Sequence, residues 1–219
     1  GLKREPLVSE TIFTIPLPAD QGLGLGKPLK ILTKLERDTI PIWIASLGGK
    51  NVEMTAELAD GWLPIMFVPE KARDVWGEAL DAGAAKRAPE LGTLQISAGG
   101  MLAIGEDVKG LLDFLRPMYA LYVGGMGARG KNFYNELACQ YGYEAEAKQI
   151  QDLYLDGKKK EAEALVPMDW IEASNLVGPA SYVKERIAAF DEAGVTQLSI
   201  VPVGDDPAAM VSQVKDWVS

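Results

Sequence analysis

The chain has 219 residues, 47% of them hydrophobic and 24% charged, a composition typical of a globular protein with a buried core. The formal net charge of −9 argues against a broad nucleic-acid-binding surface. Cys139 is the single cysteine and there is no histidine, which excludes an intrachain disulfide and a histidine-ligated zinc site. We therefore expect no nucleic-acid partner, no metal and a reducing, cytoplasmic location.

Residues 1–39 are predicted to be mostly irregular, with a short edge strand at residues 11–15 that two prolines end. The glycine-rich residues 22–26 then lead to Lys27 and Lys30, in a chain that is otherwise acidic. These residues are typical of an anion-holding lid or of a solvated surface loop, and the residues alone favour the loop.

From residue 40 the pattern changes to short apolar runs that alternate with helical periodicity. Residues 40–45, 62–67 and 94–101 are predicted to form buried strands. Helices are predicted over residues 50–58 and from Pro69 through Ala82.

Residues 106–176 are predicted to be mostly helical, in several pieces separated by glycines and a proline. A helix over residues 181–193 is expected to end at Gly194, and a fourth strand follows at residues 197–201. Asp206 and Pro207 predict the start of the last helix. The longest apolar stretch within these helices contains charged residues and a proline, so we expect no membrane span.

Strands that alternate with helices predict an α/β fold with a parallel sheet. Four βα units are visible, whereas a closed barrel needs eight. Residues 40–219 therefore form either a small open sheet or half of a barrel, with residues 1–39 as a separate loop and edge-strand segment.

The turn after the first predicted strand is the sharpest local signal for a binding site. It comprises Ala45, Ser46, Leu47, Gly48 and Gly49, and it leads directly into a helix. Unpaired backbone N–H groups and the positive end of the helix dipole would together favour a phosphate. The alternative is a tight connection whose glycines serve close packing.

Other candidate residues have simpler explanations. Glu53 and Glu57 lie four residues apart on the helix face opposite the apolar stripe, where we expect solvent. Tyr119, Tyr122 and Met126 are able to line a pocket for an aromatic ring, but core packing of a helix pair is the favoured interpretation. No residue stands out as a catalytic acid or base.

Several segments together resemble the luciferase-like monooxygenase superfamily, and within it the coenzyme F420-dependent oxidoreductases of actinobacteria. The likeness covers essentially the whole chain. The segments that carry it are LGKPLK (25–30), IPIWIA (40–45), GGKN (48–51), ADGWLP (59–64), ALYVGGMG (120–127), NFYN (132–135) and AGVT (193–196).

The resemblance implies a luciferase-like (β/α)₈ TIM barrel in which this chain supplies strands five to eight and a helical insertion. The turn after strand five holds the cofactor phosphate in such enzymes, which implies this role for Ala45 to Gly49. It further implies that Lys27 and Lys30 approach the phosphate or the acidic tail of the deazaflavin. Family members begin with four more βα units, which carry residues around the redox-active ring, so we expect a missing N-terminal half.

The implied function is an oxidoreductase that transfers a hydride between coenzyme F420 and a small organic substrate. One alternative is an FMN-dependent luciferase-like monooxygenase. Another is a non-catalytic half-barrel, flavin-binding or structural, that dimerises through its open sheet edges. For the enzyme, too, we expect a homodimer.

Overall fold

A computed structural model of the chain describes residues 14–15, 17–21, 36–37 and 40–218. The chain divides into two compact units, Gly1–Ile42 and Trp43–Ser219. In the first unit, the backbone N–H of Gln21 donates to the carbonyl oxygen of Pro18 over 3.0 Å and closes a turn. Of the predicted edge strand only residues 14 and 15 are described, and Ile15 forms an isolated bridge.

The described part of the second unit alternates short strands with helices. The strands are β1 (Trp43–Ile44), β2 (Gly61–Trp62), β3 (Gln95–Ala98), β4 (Met101–Ile104), β5 (Leu176–Gly178), β6 (Gln197–Leu198) and β7 (Val201–Pro202). The helices are α1 (Gly49–Leu58), α2 (Pro69–Ala84), α3 (Arg116–Gly125), α4 (Phe133–Gln140), α5 (Glu144–Leu155), α6 (Lys159–Ala164), α7 (Met168–Ala173), α8 (Ala180–Glu192) and α9 (Pro207–Val218). Short 3₁₀ segments lie at Pro89–Leu91 and Lys109–Leu115. In the stretches that the structure describes, no helix combines the length and the hydropathy needed to cross a bilayer.

Every strand pair among the described residues is parallel. One sheet has the order β1–β2–β3–β6. Its first three strands follow each other along the chain and are also neighbours in space, and β6 pairs with β3 after β4 and β5, which belong to the second sheet. The register pairs Trp43 with Gly61 and Trp62 with Ile96. This singly wound order is the one that a β/α barrel uses, and the predicted α/β class is confirmed.

The strand predicted at residues 94–101 is longer than expected and is interrupted at Gly99–Gly100. Beyond the interruption it continues as β4, which lies between β5 and β7. The strands β3 and β4 thus have different neighbours on one side: β2 lies beside β3, and β5 lies beside β4. At the changeover, the side chain of Asn175 accepts from the backbone N–H of Met101 over 2.7 Å. A Cβ atom on Gly100 would lie 2.3 Å from that Asn175 oxygen, so a glycine is required there.

Two predicted strands are shorter than expected. The strand predicted at residues 62–67 ends at Trp62, because Pro64 has no N–H with which to continue the ladder. Residue Met66 in the following loop has a φ of 54°, which is the left-handed region. The strand predicted at residues 40–45 is reduced to Trp43–Ile44, and the prediction that it is buried throughout is wrong for Ile40 and Ile42, whose side chains are exposed.

The predicted helices are confirmed within one or two residues at their ends. After α8, the N–H of Gly194 donates to the carbonyl of Asp191 and the N–H of Val195 to that of Phe190. This is a Schellman ending, and Gly194 adopts the positive φ of 88° that it needs. At the start of α9, the side chain of Asp206 accepts from the N–H of Ala209 over 2.9 Å.

The predicted helical segment 106–176 folds as α3 to α7 and ends in β5. The side-chain oxygen of Asn132 caps α4 by accepting from the N–H groups of Tyr134 and Asn135. Its amide nitrogen donates to the last carbonyls of α3, at Tyr122 and Val123. One buried amide thus joins two helices, which explains the first residue of the NFYN segment.

A cluster of aromatic rings lies where the helices α2, α7 and α8 meet the sheet. The rings of Trp62 and Trp76 are 5.2 Å apart and nearly perpendicular, and Phe67 stacks on Trp76 at 5.8 Å. The ring of Tyr141 joins Trp76 to Trp170. All these rings are buried, so the cluster forms the centre of the described core.

Candidate functional site

The predicted phosphate turn lies at the carboxyl end of β1. We call Ala45–Gly49 the β1–α1 turn. Ligands of parallel α/β sheets bind outside the carboxyl ends of the strands, and this turn lies at that edge. The edge also carries the loop after β2, which begins at Leu63.

The helix α1 begins without a side-chain cap. Its N-cap residue is Gly48, whose backbone is extended (φ −69°, ψ 137°), and no side chain bonds to the first-turn N–H groups. The N–H groups of Asn51 and Val52 both reach the carbonyl of Gly48, at 2.9 and 3.0 Å. The N–H groups of Gly49 and Lys50 precede them in the first turn and have no intrahelical partner. With no acidic residue in that turn, the positive end of the dipole is left for an anion.

Two buried tryptophans bond to the carbonyls of the turn. The indole N–H of Trp62 donates to the carbonyl oxygen of Ser46, and that of Trp76 donates to the carbonyl oxygen of Leu47, both over 2.9 Å. In a trans peptide the C=O and the N–H point in opposite directions. The N–H groups of Leu47 and Gly48 therefore point away from the tryptophans, and the described residues offer them no acceptor.

The hydroxyl of Ser46 is already used inside the protein. It lies 2.9 Å from the hydroxyl of Thr55, which donates its own proton to the carbonyl of Asn51 over 2.7 Å. A hydroxyl has one proton, so Ser46 must be the donor to Thr55. Ser46 thus contributes its backbone, rather than its hydroxyl, to the outer surface of the turn.

The two glycines of the turn face different surroundings. A Cβ atom on Gly48 would lie 3.2 Å from Cε1 of Phe133, the first residue of α4. A Cβ atom on Gly49 would meet nothing within 4 Å. Phe133 is 59% exposed and lies against one flank of the turn, at Gly48. Gly49 and Lys50 are themselves exposed.

These features concentrate backbone N–H donors at the start of α1. Four consecutive N–H groups, from Leu47 to Lys50, belong to one turn at the start of a helix, and the side chain of Lys50 is exposed beside them. Such an arrangement suits a phosphate group, because oriented amides replace its hydration without a charged partner.

The other predicted site residues lie elsewhere. Lys27 and Lys30 fall outside the described residues. Tyr119 is buried and packs edge-on against Trp170 at 5.0 Å, in agreement with the core-packing interpretation. Glu53 and Glu57 are half-buried, less exposed than their position opposite the apolar stripe predicts, and Glu53 pairs with Lys86. Burial, together with the negative charge of Glu144, raises the pKa of Cys139, which makes this thiol a poor nucleophile.

Sequence reasoning did not find Trp62, Trp76, Thr55 or Phe133. The two tryptophans and Thr55 lie in predicted strand and helix segments, and Phe133 lies far along the chain from the turn. No local pattern indicates which carbonyl an indole will reach, so only the folded structure connects these residues with the turn.

The comparison with protein families decides the classification. A family model described as luciferase-like monooxygenase matches residues 5–197. The chain belongs to the luciferase-like monooxygenase family. A protein of Mycobacterium tuberculosis that is named a coenzyme F420-dependent oxidoreductase is 33% identical over 208 residues. That match covers 93% of this chain and 57% of the relative.

Solved structures of similar proteins support the luciferase-like barrel fold. The F420-dependent tetrahydromethanopterin reductase of Methanopyrus kandleri matches with a TM-score of 0.59 and 23% identity, over 80% of this chain and 49% of that one. An F420-dependent secondary alcohol dehydrogenase matches with a TM-score of 0.55 and 15% identity, over 98% and 56%. The chain thus spans about half the length of the relatives that it matches, and its strands are of the kind that form a TIM barrel.

Proposed function

We propose that this chain forms the phosphate-binding side of an oxidoreductase that transfers a hydride between coenzyme F420 and a small organic substrate. The observation that carries the proposal is the β1–α1 turn, an uncapped helix start with outward amides at the carboxyl edge of the sheet. The names of the similar Mycobacterium and Methanopyrus proteins support the choice of cofactor.

The residues of the turn fit the phosphate of such a cofactor. Leu47, Gly48, Gly49 and Lys50 would donate backbone N–H groups to its oxygens, and Ala45 and Ser46 would set the course of the chain into the turn. Phe133 would shield one flank from water. When bound, the deazaflavin would donate or accept the hydride, so the work of the protein is to bind and orient the cofactor and to exclude solvent.

Lys27 and Lys30 belong to the proposal as well. A deazaflavin carries an acidic tail, and these two lysines are close together in an acidic chain. We expect the double variant Lys27→Ala/Lys30→Ala to weaken F420 binding and to leave inorganic phosphate binding unchanged. Equal weakening of both would assign the lysines to the phosphate instead.

Titration with the cofactors tests the proposal. Purified protein is titrated with coenzyme F420 and with FMN, and binding is followed by cofactor fluorescence and by calorimetry. Saturable binding with preference for F420 is the expected result. A protein that binds neither cofactor would overturn the proposal.

An FMN-dependent monooxygenase is the second candidate, favoured by the description of the matching family. An FMN site needs only a phosphate cradle, whereas a site for the deazaflavin also needs positive charge for the acidic tail. The β1–α1 turn would suit either cofactor, so the ratio of the two affinities decides between them.

A third candidate is a half-barrel without catalytic activity. In the described sheet β1 and β6 are the end strands, each with one neighbour, and such open edges favour pairing with further strands.

We propose that further βα units complete the barrel, that the protein is a homodimer and that it is cytoplasmic. The mass of the denatured protein and light scattering of the native one test the first two proposals, and a monomer would refute the dimer.

A further inference from the structure

We infer that Trp62 and Trp76 are positioning residues that orient the β1–α1 turn for its anion. The inference rests on the proposed function, because it assigns a role toward the phosphate that the turn is proposed to bind. Neither residue would touch the cofactor. Each acts through the peptide group whose carbonyl it holds.

The geometry of the two bonds supports this role. Both indoles are buried, with at most 1% of their surface exposed, and both donate over 2.9 Å to successive carbonyls, at Ser46 and Leu47. The two rings are packed edge to face at 5.2 Å, so neither is able to swing away from its carbonyl alone. Two consecutive peptide planes are therefore held with their carbonyls inward and their N–H groups outward.

The sequence of the turn explains why hydrogen bonds are needed to fix the orientation of its peptides. The peptide between Leu47 and Gly48 ends on a glycine, which tolerates both signs of φ. Such a peptide flips more easily than one between two residues with side chains, and a flip would present a carbonyl oxygen to the phosphate instead of an N–H. The bond from Trp76 stabilises one of the two orientations before any ligand arrives.

A purely structural role is the competing explanation, and Trp170 provides the comparison. Trp170 is as deeply buried and packs against Tyr119, Tyr141 and Tyr143. Its indole nitrogen nevertheless has no hydrogen-bond partner among the described residues. Burial of a tryptophan in this core therefore does not by itself require a carbonyl acceptor, which makes the two bonds to the turn a separate feature.

The experiment compares Trp76→Phe and Trp62→Phe with the control Trp170→Phe in the whole chain. Each variant is titrated with inorganic phosphate and with coenzyme F420, and the amide signals of Leu47, Gly48 and Gly49 are followed by ¹H–¹⁵N NMR. Thermal unfolding measures the loss of stability that all three substitutions share. We expect Trp76→Phe to weaken binding of both ligands by about tenfold, the effect of one lost hydrogen bond. Trp170→Phe should bind both ligands as the wild type does.

A second variant distinguishes the contribution of the indole N–H group from that of the ring. Replacing Trp76 by 3-benzothienylalanine keeps the size and shape of the side chain and exchanges the N–H for sulfur. It should weaken binding as Trp76→Phe does and should shift the Gly48 amide signal in the unliganded protein. If Trp76→Phe fails to fold, this variant decides the question.

Three results would overturn the inference, and one of them would also overturn the proposed function. Wild-type affinity in the benzothienylalanine variant would show that the N–H has no role. Equal weakening by Trp170→Phe would indicate general loosening of the core. If the wild-type protein binds neither phosphate nor F420, the proposed function fails first, and the positioning role fails with it.

Discussion

The hydroxyl of Tyr141 donates to the carbonyl oxygen of Met66 over 3.2 Å, and the same hydroxyl accepts from the backbone N–H of Val68 over 3.3 Å. Met66 has a left-handed backbone, which costs a residue with a side chain about 1 kcal/mol. Burial raises the pKa of Tyr141, so the hydroxyl keeps the proton that it donates. A residue of the helical insertion thus holds the loop that follows β2.

Replacing Tyr141 by Phe should therefore destabilise the protein. The substitution leaves a carbonyl and an N–H of a buried loop without their partner, which costs about 1–3 kcal/mol. Urea unfolding followed by circular dichroism measures the change. Tyr154→Phe is the matched control, because the described residues offer its hydroxyl no partner, and it should unfold like the wild type. Equal stability of Tyr141→Phe and Tyr154→Phe would contradict the bridging role.

Asn132 should contribute more stability than an ordinary helix cap, because it joins α3 to α4. We expect Asn132→Ala to lower the free energy of unfolding by about 2 kcal/mol, from the lost cap and from the lost bonds to the Tyr122 and Val123 carbonyls. The Val123 carbonyl keeps a second donor, the side-chain amide of Asn135. Asp206→Ala, which removes only an exposed cap, should lose about 1 kcal/mol. Chemical unfolding of both variants provides the comparison. A larger loss for Asp206→Ala would mean that the bonds from Asn132 to α3 contribute nothing.

Gly48→Val should weaken cofactor and phosphate binding without unfolding the chain. The new side chain would push against Phe133, whose exposed ring is able to move, and it would narrow the approach to the amides. We expect F420 affinity to fall by about tenfold or more, since close backbone approach is what such a turn provides. Gly110→Val, at a position where a Cβ meets nothing, is the control. Fluorescence titration that gives equal affinities for the two variants would remove the turn from the site.

The ion pair between Glu70 and Arg186 should make stability depend on pH. Burial alone would raise the pKa of Glu70, but the hydrogen bonds and the charge of Arg186 outweigh it, and the net pKa is lowered. A carboxyl whose pKa is lowered by folding stabilises the protein above the ordinary glutamate pKa of about 4.3. That stabilisation is lost as the pH falls through the lowered pKa of the folded state.

Glu70→Gln tests this dependence. Because the Glu70 side chain is half exposed, we expect the free energy of unfolding of the variant to be about 1 kcal/mol below that of the wild type at neutral pH. This difference between the two proteins should shrink as the pH falls. Asp81→Asn removes the carboxylate of the fully exposed pair with Arg73 and should leave stability unchanged at every pH. Urea unfolding across the acid range gives the result. A difference in the free energy of unfolding between wild type and Glu70→Gln that stays constant down to the lowest pH would refute the assignment to Glu70.

Much of the fold follows from local patterns in the sequence. The apolar residues Val52, Ala56 and Ala59 are all buried, as their helical spacing predicts. Gly194 lies at the end of α8 and Asp206 at the start of α9, as the sequence predicts. These features depend on residues within one or two turns of each other, which is why periodicity and capping rules find them.

Features that depend on distant residues could not be predicted in this way. The strand β5 has only three residues directly after a helical segment, too few to give a period, and it exists because β4 offers an edge. The bonds from Trp62 and Trp76 to the turn join residues far apart along the chain. The turn itself was identified from its glycines, but the orientation of its amides depends on those indoles.

The change of neighbour at Gly99–Gly100 has a consequence for how the chain folds. The strand β3 pairs with β2, which precedes it closely along the chain, whereas Leu102 in β4 pairs with Leu176, beyond the whole helical insertion. Contacts between distant segments form more slowly, because a long loop must close first. We therefore expect one strand to be completed in two stages, its first half soon after β2 and its second half only once α3 to α7 have assembled. During synthesis the edge that β5 later covers would stay open, and that interval is when this chain is most exposed to aggregation.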